Sequence, residues 1–249
     1  MFFEKDDKKV LMDFLSMPLD STDAVFKKFR SLNGAIYHKG DGNKEGFVYV
    51  PGKREDRILL VAHADTNWDK SYQGRAVKHE VIFEDGNFKE TKASVGIGVD
   101  DRGGCAMLYL LRKSGHSLLI TDGELYGQVG ANFLRSTDPQ LFEEINSHCF
   151  AIQLGRRNAG EYKFYDLKVT KDFEEFIKDK TGYKNADAHG RTDISALCRD
   201  ICGVNFSIGY YNGNFPDEYL NFNEWKKTLD TVKDIITPKC VRYPLVDKK

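Results

Sequence analysis

No run in this sequence approaches the length of a membrane span, and its opening residues, MFFEKDDKK, mix acids and bases without the apolar core of a signal peptide. An excess of either charge is missing too. Lys and Arg number 37 and Asp and Glu 38, a formal net charge of −1, so no overall field recruits nucleic acid or an acidic membrane. Cysteine is scarce: Cys105, Cys149, Cys198, Cys202 and Cys240 are odd in number and form no CxxC pair. Scattered thiols exclude a disulfide framework and fit a reducing, cytoplasmic setting in which most of them pack in the core. Cys198 and Cys202 lie four apart on an expected helix, where two thiols alone make a weak metal site. Internal repeats, low-complexity tracts and long linkers are absent as well.

What is there suits a substantial core. With 41% hydrophobic and 12% aromatic residues, the 249 residues fit one α/β domain over 1–249, at most with a small insertion. Helical spacing marks residues 6–17, and then a helix capped by Ser21-Thr22-Asp23 that runs through Phe26, Phe29 and Leu32 to Asn33-Gly34. Residues 35–38 and 46–50 read as a hairpin, 67–78 as a polar loop, and 80–88 as an exposed hairpin turning at Asp85-Gly86. Buried strands are expected at 58–66, 117–121, 148–154 and 203–208, with an edge strand at 162–165. Helices are expected at 105–113, 127–135, 138–146, 171–180, 191–199 and 223–236. This alternation predicts a three-layer α/β/α fold around a mostly parallel, mixed central sheet.

The chain is organised around ILLVAHADT, Ile58–Thr66. Its apolar run follows a charged turn and ends in His63, Asp65 and Thr66, and ligands in open α/β sheets gather at such strand ends. His63 and Asp65 are two apart and so point the same way from a strand, which lets a carboxylate orient an imidazole or share a metal with it. A satisfied histidine in a strand-end turn is the plain alternative. Two more strand ends carry Asp100/Asp101 and Asp122/Glu124. Gly96, Gly98, Gly103 and Gly104 surround the aspartate pair, letting the backbone turn sharply at a helix start. Asp100 or Asp101 could instead simply cap that helix. Phosphate binding is the other option, but the stretch lacks the GK[ST] of a P-loop and places two aspartates where phosphate would sit.

Together these segments resemble the zinc-dependent exopeptidase superfamily of di-zinc aminopeptidases and carboxypeptidases, from about Gly34 to Trp225 and in the family's order. The resemblance implies a phosphorylase/hydrolase-like zinc-peptidase fold in a minimal, single-domain form. It assigns His63 as a metal ligand oriented by Asp65, Asp100 as the aspartate bridging two metals, and Glu124 as the general base. Gly209–Tyr219 is similar to the segment that supplies the last ligand. Three ligand positions depart from the pattern. Leu125 stands where a glutamate ligand is expected, Gly155 where an aspartate is, and Asn214 where the final histidine is. Leucine and glycine have no side-chain donor, and a neutral amide is a poor zinc ligand.

His63 and Asp100 thus remain as metal ligands, and the expected cofactor is one zinc ion at most, or none. His189, Asp193, Asp217 and Glu218 are the residues that could fold back to rescue the site. Without divalent charge, its carboxylates are expected to titrate high or to pair with Arg102, Arg156, Arg157 or Arg191, and Arg156-Arg157 could favour an anionic group. Two functions are open. One is a metal-dependent hydrolase of amide bonds in peptides or amino-acid conjugates. The other is an inactive descendant, a pseudoenzyme whose cleft binds a small ligand or a protein partner.

Overall fold

The computed structural model describes residues 2–68, 78–92, 94–186 and 189–246. Its main sheet is built from β1 (Ile36–Lys39), β2 (Gly46–Val50), β3 (Leu59–His63), β6 (Ser117–Thr121), β7 (Ala151–Arg156), β8 (Glu161–Lys163), β9 (Lys184–Asn185) and β10 (Gly203–Ser207). The order across it is β1-β2-β6-β3-β7-β10-β8-β9. The central four, β6, β3, β7 and β10, run parallel, while β1–β2, β2–β6 and β10–β8 pair antiparallel and β8–β9 parallel. Every residue of β3, β6 and β10 is buried. Layers on both faces exclude water from both sets of alternating side chains, so these strands read as unbroken apolar runs.

Eight helices are described: α1 (Phe2–Leu15), α2 (Asp23–Arg30), α3 (Val99–Leu111), α4 (Val129–Thr137), α5 (Pro139–Asn146), α6 (Lys171–Thr181), α7 (Asp193–Leu197) and α8 (Phe222–Ile236). α3 lies on β3 and β7 with α1 packed over it, whereas α4, α5 and α7 gather against β2, β7 and β10. Local chemistry starts several of them. Asp138 accepts from Leu141 N–H at 3.0 Å with Pro139 at the first position of α5, and Asn221 accepts from Glu224 N–H at 3.2 Å to open α8. α8 buries Trp225, Leu229, Val232 and Ile236 along one stripe, and the indole N–H of Trp225 reaches Gly103 O at 3.1 Å. None of the described helices is long and apolar enough to cross a membrane.

Several local expectations differ from the structure. Thr22 precedes α2 but makes no side-chain cap; its hydroxyl donates to Asp122 Oδ2 at 3.2 Å, a tertiary partner that outcompetes the helix end. The stretch expected as an edge strand at 162–165 is β8, which lies between β10 and β9. β7 starts at Ala151 because His148 still closes the turn after α5, donating its N–H to Ile145 O at 3.1 Å. Only five residues of 191–199 are helical, so Cys198 ends α7 and Cys202 precedes β10 rather than sharing its helix face. Both thiols are buried. The 80–88 hairpin, seen as β4 (Val81–Glu84) and β5 (Asn87–Glu90), is not isolated. It joins a second sheet, β11-β12-β5-β4, with β11 (Tyr210–Tyr211) and β12 (Tyr219–Asn221). Most of the polar loop expected at 67–78 falls outside the described residues.

Candidate active-site cleft

The carboxyl ends of the four parallel strands meet in one cleft of about 230 Å³. His63 is the last residue of β3 and pairs in register with Thr121, the last of β6. Its ring is nearly sealed, 2% exposed. Nδ1 lies 3.2 Å from Asp65 Oδ1, and Nε2 lies 3.1 Å from Asp100 Oδ1 and 3.8 Å from Glu124 Oε2. Asp65 is fully buried and also accepts the backbone N–H groups of Glu124 and Leu125, each at 3.2 Å. One carboxylate therefore fixes both the imidazole and the turn that carries Glu124. Burial opposes charge on His63, but the fields of Asp65, Asp100 and Glu124 outweigh it and hold the imidazolium well above its usual range. For Asp65 burial is likewise overcome, by His63 first and then by Lys44, and its carboxyl titrates low.

The glycine-rich turn positions two aspartates differently. Gly98 stands at φ +62°, a left-handed conformation that favours glycine, and residues 100 and 101 are non-helical at the mouth of α3, joined by a cis peptide bond. Asp100 faces the cleft. Asp101 points inward, fully buried, and accepts Gly104 N–H at 2.8 Å and His63 N–H at 3.3 Å. Burial pushes its carboxyl well above the usual range. Gly104 must be glycine because a Cβ there would sit 1.8 Å from Leu154 O. Close approach of α3 to β7, rather than phosphate binding, accounts for that glycine.

Glu124 opens a short 3₁₀ turn, Glu124–Tyr126, directly after β6. Burial raises its carboxyl to about 7, with His63 lowering and Asp100 adding to the shift. His63, Asp65, Asp100 and Glu124 are thus brought together, but only two of the three expected strand ends are strand ends: among the described residues Asp100 follows no strand and enters from the glycine-rich turn at the start of α3.

The departing positions and the rescue candidates behave otherwise. Leu125 offers only its backbone N–H, already given to Asp65. Gly155 lies at the end of β7 beside Asp101, and a Cβ there would stand 2.9 Å from Asp101 Oδ2. Asn214 is exposed, at φ +72°. Asp193 is buried against the Thr121 hydroxyl. Glu218 is buried beneath the glycine-rich turn, where it accepts Gly98 N–H at 2.7 Å, and Asp217 accepts from Asn212 on the surface at 2.8 Å. His189 alone of the four lines the cleft. Among the described residues no group of three or more His, Cys, Asp or Glu is arranged to hold a metal ion.

The other wall is basic and polar, formed in part by Arg156, Arg157 and Arg191 with Gln153, Asn205 and Tyr165. Arg102, expected as a partner for the acids, instead runs through the core and donates to Pro18 O at 3.0 Å and Ser21 O at 2.9 Å, tying α3 to the segment between α1 and α2. Sequence reasoning missed Lys44, whose buried ammonium lies 3.5 Å from Asp122 behind the site, and Gln153, which accepts Ile194 N–H at 3.2 Å. Gln153 was detectable as a polar break in the apolar run of β7. Nothing in the hairpin turn around Lys44 signalled burial.

By sequence alone, no family model matches the chain and no curated protein does. Solved structures do match by shape. The aminopeptidase PepT from Bacillus cereus superposes with a TM-score of 0.65 at 14% identity, covering 94% of this chain and 98% of that one. A tripeptidase from Staphylococcus aureus gives 0.66 at 12% identity, with 94% and 98% covered. A TET aminopeptidase from a marine-sediment thaumarchaeote gives 0.63 at 12%, with 93% and 97% covered. The chain has the α/β fold of these aminopeptidases, a peptidase-like fold over nearly its whole length.

Proposed function

We propose that this is a peptidase-like protein whose cleft binds a small ligand without assembling a two-zinc hydrolytic centre. The observation that carries this reading is the donor count at one place. His63 and Asp100 face the cleft, while the three further ligand positions hold Leu125, Gly155 and Asn214, Asp217 and Glu218 are engaged elsewhere, and Asp193 gives one oxygen to the Thr121 hydroxyl. Catalytic zinc takes about three protein ligands plus water. The fold likeness to aminopeptidases is equally compatible with activity and with its loss.

One observation favours a second reading, hydrolysis of peptide or amino-acid amide bonds with a single ion held at His63 and Asp100. Glu124, titrating at about 7 next to an Asp65-oriented imidazole, has the proton affinity that suits a general base at neutral pH. The two readings separate in one experiment. Protein purified without chelator is assayed on an aminoacyl and tripeptide panel beside Glu124→Gln. The binding reading expects no hydrolysis above that of the variant; turnover that Glu124→Gln abolishes would replace it with the second.

A further inference from the structure

The cleft is polar. Its lining carries both signs, Asp100 and Glu124 beside His63, and the guanidinium-bearing Arg156, Arg157 and Arg191. Arg156 is nine-tenths buried, its side chain 10% exposed. One nitrogen pairs with Glu161 at 3.2 Å, but its Nε is buried with no hydrogen-bond partner among the described residues. A buried guanidinium N–H without an acceptor is costly, and an anion is the group that satisfies it best. Asn205 forms the neighbouring floor, 3% exposed; its Oδ1 is unpartnered among the described residues and, being an acceptor, suits a donor group of the ligand and not its anion. Its Nδ2 donates to the Tyr165 hydroxyl at 3.3 Å, which leaves the phenol proton available to an acceptor in the cleft. Arg191 is 72% exposed at the rim and only loosely opposed by Asp166 at 3.9 Å.

We infer that this wall is an anion subsite, which takes the carboxylate or phosphate group of a compact ligand between Arg156, Arg157 and Arg191. The inference rests on the cleft being a binding site, as proposed above. The volume of about 230 Å³ limits the occupant to a small molecule, below the range usual for drug-sized ligands. Repulsion by Asp100 and Glu124 sets its orientation: the anionic group lies among the arginines, and a neutral or cationic donor group faces the two carboxylates.

The test is calorimetric titration of the full chain with inorganic phosphate, with succinate and with neutral succinamide, for the wild type, Arg191→Gln and Arg156→Gln. Saturable binding of at least one anion is expected, with succinamide silent and both variants weakened about tenfold or more. Arg191 is exposed, so its variant keeps the test meaningful even if Arg156→Gln fails to fold. Phosphate binding alone assigns a phosphorylated ligand, succinate alone a carboxylate, and both the shared anion site. Absence of saturable binding by either anion, equal binding of succinamide, or binding untouched by Arg191→Gln overturns the inference. Zinc content measured on the same sample keeps the two claims apart. Two firmly held ions would overturn the binding reading itself, whereas metal-poor protein that ignores both anions overturns the anion assignment alone.

Discussion

Restoring the carboxylate at position 155 is expected to destabilise the protein rather than repair a site. A Cβ on Gly155 would lie 2.9 Å from Asp101 Oδ2 and 3.1 Å from its Cγ, closer than side chains tolerate. Asp101 has little freedom to retreat. It is fully buried, holds Gly104 N–H at 2.8 Å and His63 N–H at 3.3 Å, and is backed by the close contact of Gly104 with β7. Overpacking of this kind costs about 1–3 kcal/mol, so Gly155→Ala carries that steric penalty alone. Gly155→Asp adds the cost of placing a second carboxyl in the same buried spot, beside one that burial already pushes well above its usual range, and roughly another 1–2 kcal/mol is expected near neutral pH. Urea unfolding of the wild type and both variants at pH 7.5 and pH 5 measures the two parts. The excess of Asp over Ala should shrink at the lower pH, where a protonated carboxyl carries no charge. If Gly155→Asp is as stable as the wild type at both pH values, the packing argument at this position is wrong.

Two further outcomes follow from the same geometry. Asp65→Asn leaves His63 and two backbone N–H groups facing a neutral amide in a buried site; a loss of about 3–5 kcal/mol is expected, with a lowered His63 titration by NMR, and an unchanged titration would count against Asp65 as its main partner. Away from the cleft, His148 is buried with Nδ1 2.9 Å from Glu144 O and Nε2 2.8 Å from Ser117 Oγ, which also accepts Gly52 N–H at 2.9 Å. Burial lowers His148 from 6.5 to about 4. Because the folded value lies below the unfolded one, this stabilisation is complete above about pH 6.5 and is lost as pH falls toward 4, on the order of 3 kcal/mol in all. Urea midpoints from pH 7.5 to 4 should fall more steeply for the wild type than for His148→Gln, and parallel profiles would refute the assignment.

The architecture was legible where burial on two faces forces a continuous apolar run, as in Leu59–Ala62 and Leu118–Ile120, and where glycines mark a tight turn between strand and helix. Strand ends placed His63, Asp65 and Glu124 near one another, because the parallel neighbours β3 and β6 deliver their last residues in register to one edge, whereas Asp100 follows no described strand and is brought there by the glycine-rich turn into α3. Short-range signals misled where a tertiary partner competed. Thr22 reads as a cap but bonds Asp122, and Arg102 reads as a site cation but crosses the core to Pro18 and Ser21. The second sheet escaped notice because β11 and β12 are two and three residues long, too short for a period to register. Asn205 and Tyr165 went unremarked because what places them in the cleft is the order β7-β10-β8, a long-range pairing that no local pattern encodes.

The number of zinc ions the folded chain can hold bears most directly on the account. Protein equilibrated with zinc and then challenged with a chromophoric chelator should surrender all of it, or retain no more than one weakly held ion per chain. Two ions per chain that resist the chelator would contradict it.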